Sequence, residues 1–424
     1  MNKDHLLSPI YDFFVNSYDY NGIPMPELFD SWGVRWSTGI KYLIALIKDG
    51  LCIIQSSSNP HIIYHSIPSI DSSVKYLESI AKDKTNDYLM FQECVYPSRH
   101  YLLAHRNLSE TAPYERRLAL GEPQLKPIYF DFKVLQPYLD DPMFNLTLKD
   151  YYGSLEYSIE NDSKVDKAGY YSLKTFGIGY DELGNRVIVS FARYLKNLSV
   201  SQQNHWEANE SMKEAKVLKP YWDNVVYGSW HFPHSLASGV LIERNYVNYL
   251  WKEIFGKDLF KHAYTISQLP ADYSFLFIPT KKAFNEFIHT LDKIFSDDID
   301  VKSIRSYLEK GNQNLPSYKE TVPENIGSLK ALQLWIDNIY TLQNGDKIGS
   351  EIVGPLKQIR QLRNPQAHTI LMENKVDTAI YAQQNQIFSD IYDALVKFRT
   401  FLSTHPKVTC LPKPEWYSDN VFSI

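Results

Sequence analysis

Arg363, Asn364 and His368 bring a permanent cation, an amide and the one side chain that titrates near neutrality within two helical turns of each other. They lie in the run IRQLRNPQAHTI at 359–370. A histidine can take up and return a proton near neutral pH. A guanidinium can hold two oxygens of one phosphate through parallel hydrogen bonds. Lys357 and Arg360 extend the stretch into a short cationic strip, suited to a phosphodiester lying beside His368.

A single straight helix over Ile352–Leu371 places Ile352, Leu356, Ile359, Ala367 and Ile370 on one face, with Lys357, Gln361, Asn364 and His368 beside it. Arg363 falls in the middle of that apolar face. A guanidinium cannot shed its charge, so the position demands a partner or a wet cleft. Pro365 removes a backbone donor and clashes with the carbonyl four residues back, which predicts a break or kink. Asn364 as N-cap and Pro365 at the first helical position make a well-matched helix start, with His368 in the first turn. In a straight helix Arg363 and His368 point about 140° apart, and a kink can turn both toward one cleft. The alternative is a capped helix restart, with an exposed histidine and an arginine paired to a neighbouring carboxylate.

The elements that must position these residues are helical. From about Ser235 onward, helices are predicted over 239–254, 281–295, 304–309, 326–340, 352–371 and 376–402. In the last, Val376, Ile380, Ile387, Ile391, Leu395, Phe398 and Leu402 recur mostly at three- and four-residue steps and form one apolar stripe. Residues 311–325, polar and carrying two prolines, read as a linker or long loop.

The preceding half mixes periods. A helical pattern at 40–48 is followed by β-rich runs at 52–55 and 61–64, a helix at 73–81, and strands near 88–91 and 101–104. Residues from about 127 to 215 are the most strand-like. Alternation at Ile128–Val134 and a Gly184-Asn185 turn ahead of Val187–Phe191 predict a strand and a hairpin. Tyrosine is abundant there, as expected of a half-buried pleated surface; a base-stacking or sugar-binding platform is the sharper alternative. The fold class expected is α+β: a mixed α/β N-terminal half, then an all-α C-terminal helical bundle. The regions are 1–125, a strand-rich 126–234, and a helical 235–424.

With 424 residues, 44% of them apolar, the chain can bury a core in each of two or three domains. Cys52, Cys94 and Cys410 are odd in number and far apart, which fits a reducing cytosol. No apolar leader or span is apparent, so a cytoplasmic protein without a membrane partner is expected. A net charge of −5 argues against a generalised nucleic-acid coat, so any such contact must be local. His231 and His234, with His205 upstream, have a metal-like spacing, but Pro233 argues against a regular helix and no acidic or cysteine ligand stands nearby. Gly177-Ile178-Gly179 lacks the third glycine of a dinucleotide loop, and no phosphate-loop, nucleophile-elbow or zinc-protease motif occurs. Neither a metal nor a cofactor is expected.

At Arg363-Asn364-x-x-x-His368, set between two long C-terminal helices, the chain resembles the HEPN superfamily, whose hallmark is Arg, four to six residues, then His, commonly with Asn after the Arg. The resemblance covers roughly 320–405, or a larger block from about 240, and not the N-terminal half. It implies a HEPN-like helical bundle and a metal-independent endoribonuclease of a toxin or anti-phage abortive-infection system. Some members are instead non-catalytic RNA-binding modules. On the nuclease reading His368 is the general acid/base and Arg363 stabilises the phosphorane. Asn364 orients the histidine or the phosphate, and Lys357 and Arg360 bind substrate. The expected partners are RNA, a second copy joined through the C-terminal bundle, and a trigger or inhibitor held by the N-terminal half.

Overall fold

The computed structural model describes residues 2–56, 59–82, 93–157, 172–229, 233–265, 270, 273, 279–311, 321–339, 347–363, 377, 379–418 and 420–422. The chain is α+β and divides into two compact units, Met1–Trp230 and His231–Ile424.

The first unit begins with α1 (Lys3–Asn16), capped by the Asn2 side chain, which accepts from the Asp4 amide at 3.4 Å. There follow β1 (Ile23–Pro24), α2 (Met25–Ser31), α3 (Trp36–Lys48), β2 (Cys52–Gln55), α4 (Ile70–Lys82) and β3 (Cys94–Pro97). The three strands form an antiparallel sheet in the order β1-β3-β2. Ile10, Leu43, Ile47 and Leu77 from three helices are buried with Ile54 and Val95 of that sheet.

Two runs predicted as strands take other forms. Residues 101–104 belong to α5 (Arg99–His105), because Ser98 caps the helix by accepting from the Tyr101 amide at 3.1 Å. A good cap outweighs a short apolar run with no alternation. Residues 61–64 join no ladder, although Ile62 and Ile63 are buried. Their backbone is satisfied by a neighbouring loop. The Ile63 amide donates to the Gln124 side chain at 2.6 Å, and the carbonyls of Ile63 and Tyr64 accept from the amides of Gln124 and Leu125, both at 2.9 Å. The strand predicted near 88–91 lies outside the described residues.

After α6 (Pro113–Ala119) comes the larger sheet, with β4 (Pro127–Phe130), β5 (Phe144–Lys149), β6 (Tyr152–Tyr157), β7 (Leu173–Asp181) and β8 (Arg186–Phe191). They run antiparallel in the order β4-β8-β7-β6-β5, with β9 (Ala215–Val217) also paired to β7. The strand expected over 128–134 stops at Phe130 and passes into a 3₁₀ turn at Phe132–Leu135, then α7 (Gln136–Asp140). The β7–β8 hairpin forms where Gly184-Asn185 predicts it. Gly184 takes φ +77°, and the Asp181 side chain accepts from the amides of Leu183 and Asn185 at 3.0 and 2.7 Å. Tyr114, Tyr138, Tyr151 and Tyr221 are buried among core residues.

The unit closes with α8 (Ala192–Leu195), α9 (Val200–Ala208) and α10 (Lys219–Tyr227). Gly177 and Gly179 sit inside β7, where they allow close approach of these later elements. A Cβ on Gly177 would overlap the Tyr221 ring of α10, and one on Gly179 the backbone carbonyl of Lys216 in β9. Gly177→Ala should therefore lower the stability of this unit by about 1–3 kcal/mol. Urea unfolding reads this out, and an unchanged midpoint would mean that Tyr221 can move aside.

In the second unit the predicted helices appear, several with shifted ends; residues 364–371 of the helix expected over 352–371 lie outside the described residues. The helices are α11 (Leu236–Phe255), α12 (Lys281–Asp292), α13 (Val301–Lys310), α14 (Ser328–Ile339), α15 (Gly349–Arg363) and α16 (Ala379–Ser403). The expected all-α character needs one correction: β10 (His234–Ser235) pairs in parallel with β11 (Val421–Phe422). Trp251 of α11 packs against Trp335 of α14, with ring centroids 4.5 Å apart. The stripe Ile380, Ile387, Ile391, Leu395, Phe398 and Leu402 of α16 is buried in the same core. Arg399 of α16 reaches the buried Glu243 of α11 at 2.8 Å, and Tyr417 donates to the other Glu243 oxygen at 2.6 Å. Among the described residues, no helix is long and apolar enough to cross a membrane.

Candidate active site at the end of helix α15

Helix α15 is fixed at both ends. At its start the Gly349 amide donates to Asp337 of α14 at 2.9 Å, and Glu351 pairs with Lys397 of α16 at 2.7 Å. Ile352, Val353, Leu356 and Ile359 bury its apolar face. Lys357 donates to Gln333 of α14; burial, followed by the charge of Lys330, holds its ammonium below the usual lysine range.

The last turn carries the arginines. Arg363 donates through Nη1 to Asp292, whose side chain is fully buried (0% exposed), while 32% of the Arg363 side chain remains exposed. Asp292 supplies the partner that an arginine on the apolar face requires. Arg360 lies beside it, with Nε 3.9 Å from Asp292 Oδ1 and Nη2 3.6 Å from Asp297 Oδ1. Asn364 and His368, together with Pro365, lie outside the described residues, and so does the relative direction of Arg363 and His368.

A change of helical period brings the two carboxylates within reach of one arginine. α12 continues into a π turn at Lys293–Asp297, closed by the Asp298 amide donating to the Lys293 carbonyl at 3.0 Å. In an α-helix, residues five apart point about 140° from each other. The wider i→i+5 period of a π turn brings them toward the same side instead. Asp292 and Asp297 are five apart, and both approach Arg360.

The next residue, Asp298, serves a different arginine. Arg244 of α11 is fully buried (0% exposed) and paired to Asp298. It donates to the carbonyls of His262 and Ile294 at 2.8 and 3.4 Å, and its guanidinium lies 4.1 Å from the Phe260 ring centroid. Burial pulls Arg244 below the usual arginine range, with Asp298 acting in the opposite direction. Asp298 also accepts from His262. Asp292, Asp297 and Asp298 were not singled out from the sequence. The signal available was an acidic run at the end of the helix predicted over 281–295, facing an arginine that needed a partner.

Among the described residues, the other histidines and the buried cysteine weighed for chemistry are held in structural settings. His205 Nε2 lies 3.0 Å from the Val134 carbonyl, and burial holds His234 below its ordinary value. His231 lies outside the described residues, among which no group of three His, Cys, Asp or Glu is placed to hold a metal. Cys94 Sγ is 3.5 Å from His61 Nδ1, but burial, with Glu93 and Glu27, pushes its thiol up to about 12, far from a thiolate at neutral pH. Set against family models, curated proteins and solved structures, the chain gives no match.

Proposed function

We propose that this chain is a metal-independent endoribonuclease of HEPN type, acting in the cytoplasm as a toxin or anti-phage abortive-infection effector. The observation that carries the reading is the setting of Arg363. One guanidinium nitrogen is tied to a fully buried carboxylate, while a third of the side chain stays accessible at the end of α15, five residues before His368. That is how a cation is held in a fixed orientation for an oxyanion it must meet. Arg360 and Lys357 on the same helix draw in the flanking phosphates.

In the reaction, His368 takes the proton of the 2′-hydroxyl. The 2′-oxygen attacks phosphorus and the 5′-oxygen leaves with a proton, giving a 2′,3′-cyclic phosphate. Arg363 stabilises the charge on the phosphorane oxygens. One histidine does not serve both proton transfers in one step, so a homodimer through the C-terminal unit supplies the second. The N-terminal unit senses a trigger or restrains the nuclease.

A second reading has its own supporting observation. Because Asp292 already satisfies Arg363, the pair also suits a non-catalytic RNA-binding or dimerisation module. Incubation of the purified protein with total RNA in EDTA separates the two. Cleavage by wild type and not by His368→Ala is expected. Cleavage that needs added metal, or that survives the substitution, would overturn the nuclease.

A further inference from the structure

Arg360 also lines a cleft of about 570 Å³. Its wall brings Lys261, Lys302 of α13 and Arg360 of α15 together with Gly327 and Ser328, where α14 begins. The Ala331 amide donates to the Gly327 carbonyl at 2.9 Å, which makes Gly327 the cap position. The first amides of a helix have no intrahelical acceptor, and a glycine at the cap has no side chain to offer one. The first turn of α14 contains no acid and does contain Lys330, the reverse of what a helix dipole favours. An anion at this point would satisfy both features.

Further observations point the same way. Ser296, 1% exposed, forms part of the wall, and its hydroxyl has no hydrogen-bond partner among the described residues. Two acids also line the cleft, and each is engaged. Asp300 caps α13, accepting from the Ser303 amide and hydroxyl, and Asp297 pairs with Arg360. Lys261 donates to the Asp297 carbonyl at 2.9 Å, which holds its ammonium at the rim. Lys302 has no ion-pair partner among the described residues.

We propose that this cleft binds a phosphate group, held by the α14 amides and the cations of three separate segments. Arg360 belongs to both this cleft and the Arg363 site. Assigning the phosphate to an RNA strand therefore rests on the nuclease reading; the anion site itself does not.

Gly327→Asp tests it. A Cβ at Gly327 meets nothing within 4 Å, and a carboxylate at the cap would take the amides that the phosphate needs while favouring the helix. Titration of inorganic phosphate at low salt, by calorimetry and by thermal midpoint, should show binding to wild type. Binding should be lost in Gly327→Asp, whose midpoint without phosphate is equal or higher, and should weaken about tenfold in Lys302→Glu. No binding to wild type, or wild-type affinity in both variants, would overturn the site. A 2′-deoxy oligonucleotide, which lacks the attacking hydroxyl, identifies the source. Displacement of phosphate by it assigns the site to nucleic acid, whereas phosphate binding without displacement assigns it to a free phosphate compound; either keeps the anion site. Phosphate binding retained in His368→Ala protein, with wild type inactive on RNA, would remove the nuclease and leave the cleft.

Discussion

RNA cleavage in EDTA should fall by about 10²–10⁴-fold in His368→Ala, the range for removing a general acid or base. A fall of about 10²–10³-fold is expected for Arg363→Lys, the scale of one lost oxyanion donor. The lysine variant is the informative one. Arg363→Ala would leave the fully buried Asp292 with Arg360, at 3.9 Å, as its remaining cation among the described residues, and should cost about 3 kcal/mol of stability. Lost activity in that protein would therefore be ambiguous. Lysine keeps a charge for Asp292 but not the planar fork that grips two phosphate oxygens. The expected result is near-native urea unfolding with cleavage largely lost. Full activity in Arg363→Lys would show that a point charge suffices and would remove the bidentate role. Unfolding of Arg363→Lys would make Arg363 a structural anchor.

The second large effect concerns stability. Arg244→Ala should destabilise the C-terminal unit by about 3–5 kcal/mol, as when one partner is removed from a buried pair. Such a loss is a large part of the few to fifteen kcal/mol that holds a typical domain. Asp298 would be left buried with only the ring and backbone amide of His262 among the described residues, and the space against Phe260 would empty. Arg244→Met with Asp298→Asn should recover much of the loss, because the stranded charge goes and the volume is refilled. Urea unfolding followed by tryptophan fluorescence, with Trp251 and Trp335 in this core, measures both. A loss under about 1 kcal/mol in Arg244→Ala would mean that water reaches Asp298 freely. That outcome would contradict its buried setting.

The helices of the second unit were legible because their apolar residues keep a helical period, as in the stripe from Ile380 to Leu402. The β7–β8 hairpin was legible because Gly184-Asn185 supplies the turn chemistry locally. Residues 101–104 and 61–64 misled for a common reason. A short apolar run says that it is buried, not by what; a serine cap decided the first and a loop glutamine the second.

At the candidate site, the sequence by itself determined that Arg363, on an apolar helix face, needs a partner or a wet cleft, because its charge is permanent and burial without compensation is prohibitive. Only the tertiary structure decided that the partner is Asp292, seventy-one residues earlier on α12. It also decided that a π turn swings Asp297 round to share Arg360 and leaves Asp298 to Arg244. The reason is that charge is a property of a residue, whereas a counter-charge is a property of a place. No local period encodes which distant carboxylate will occupy it.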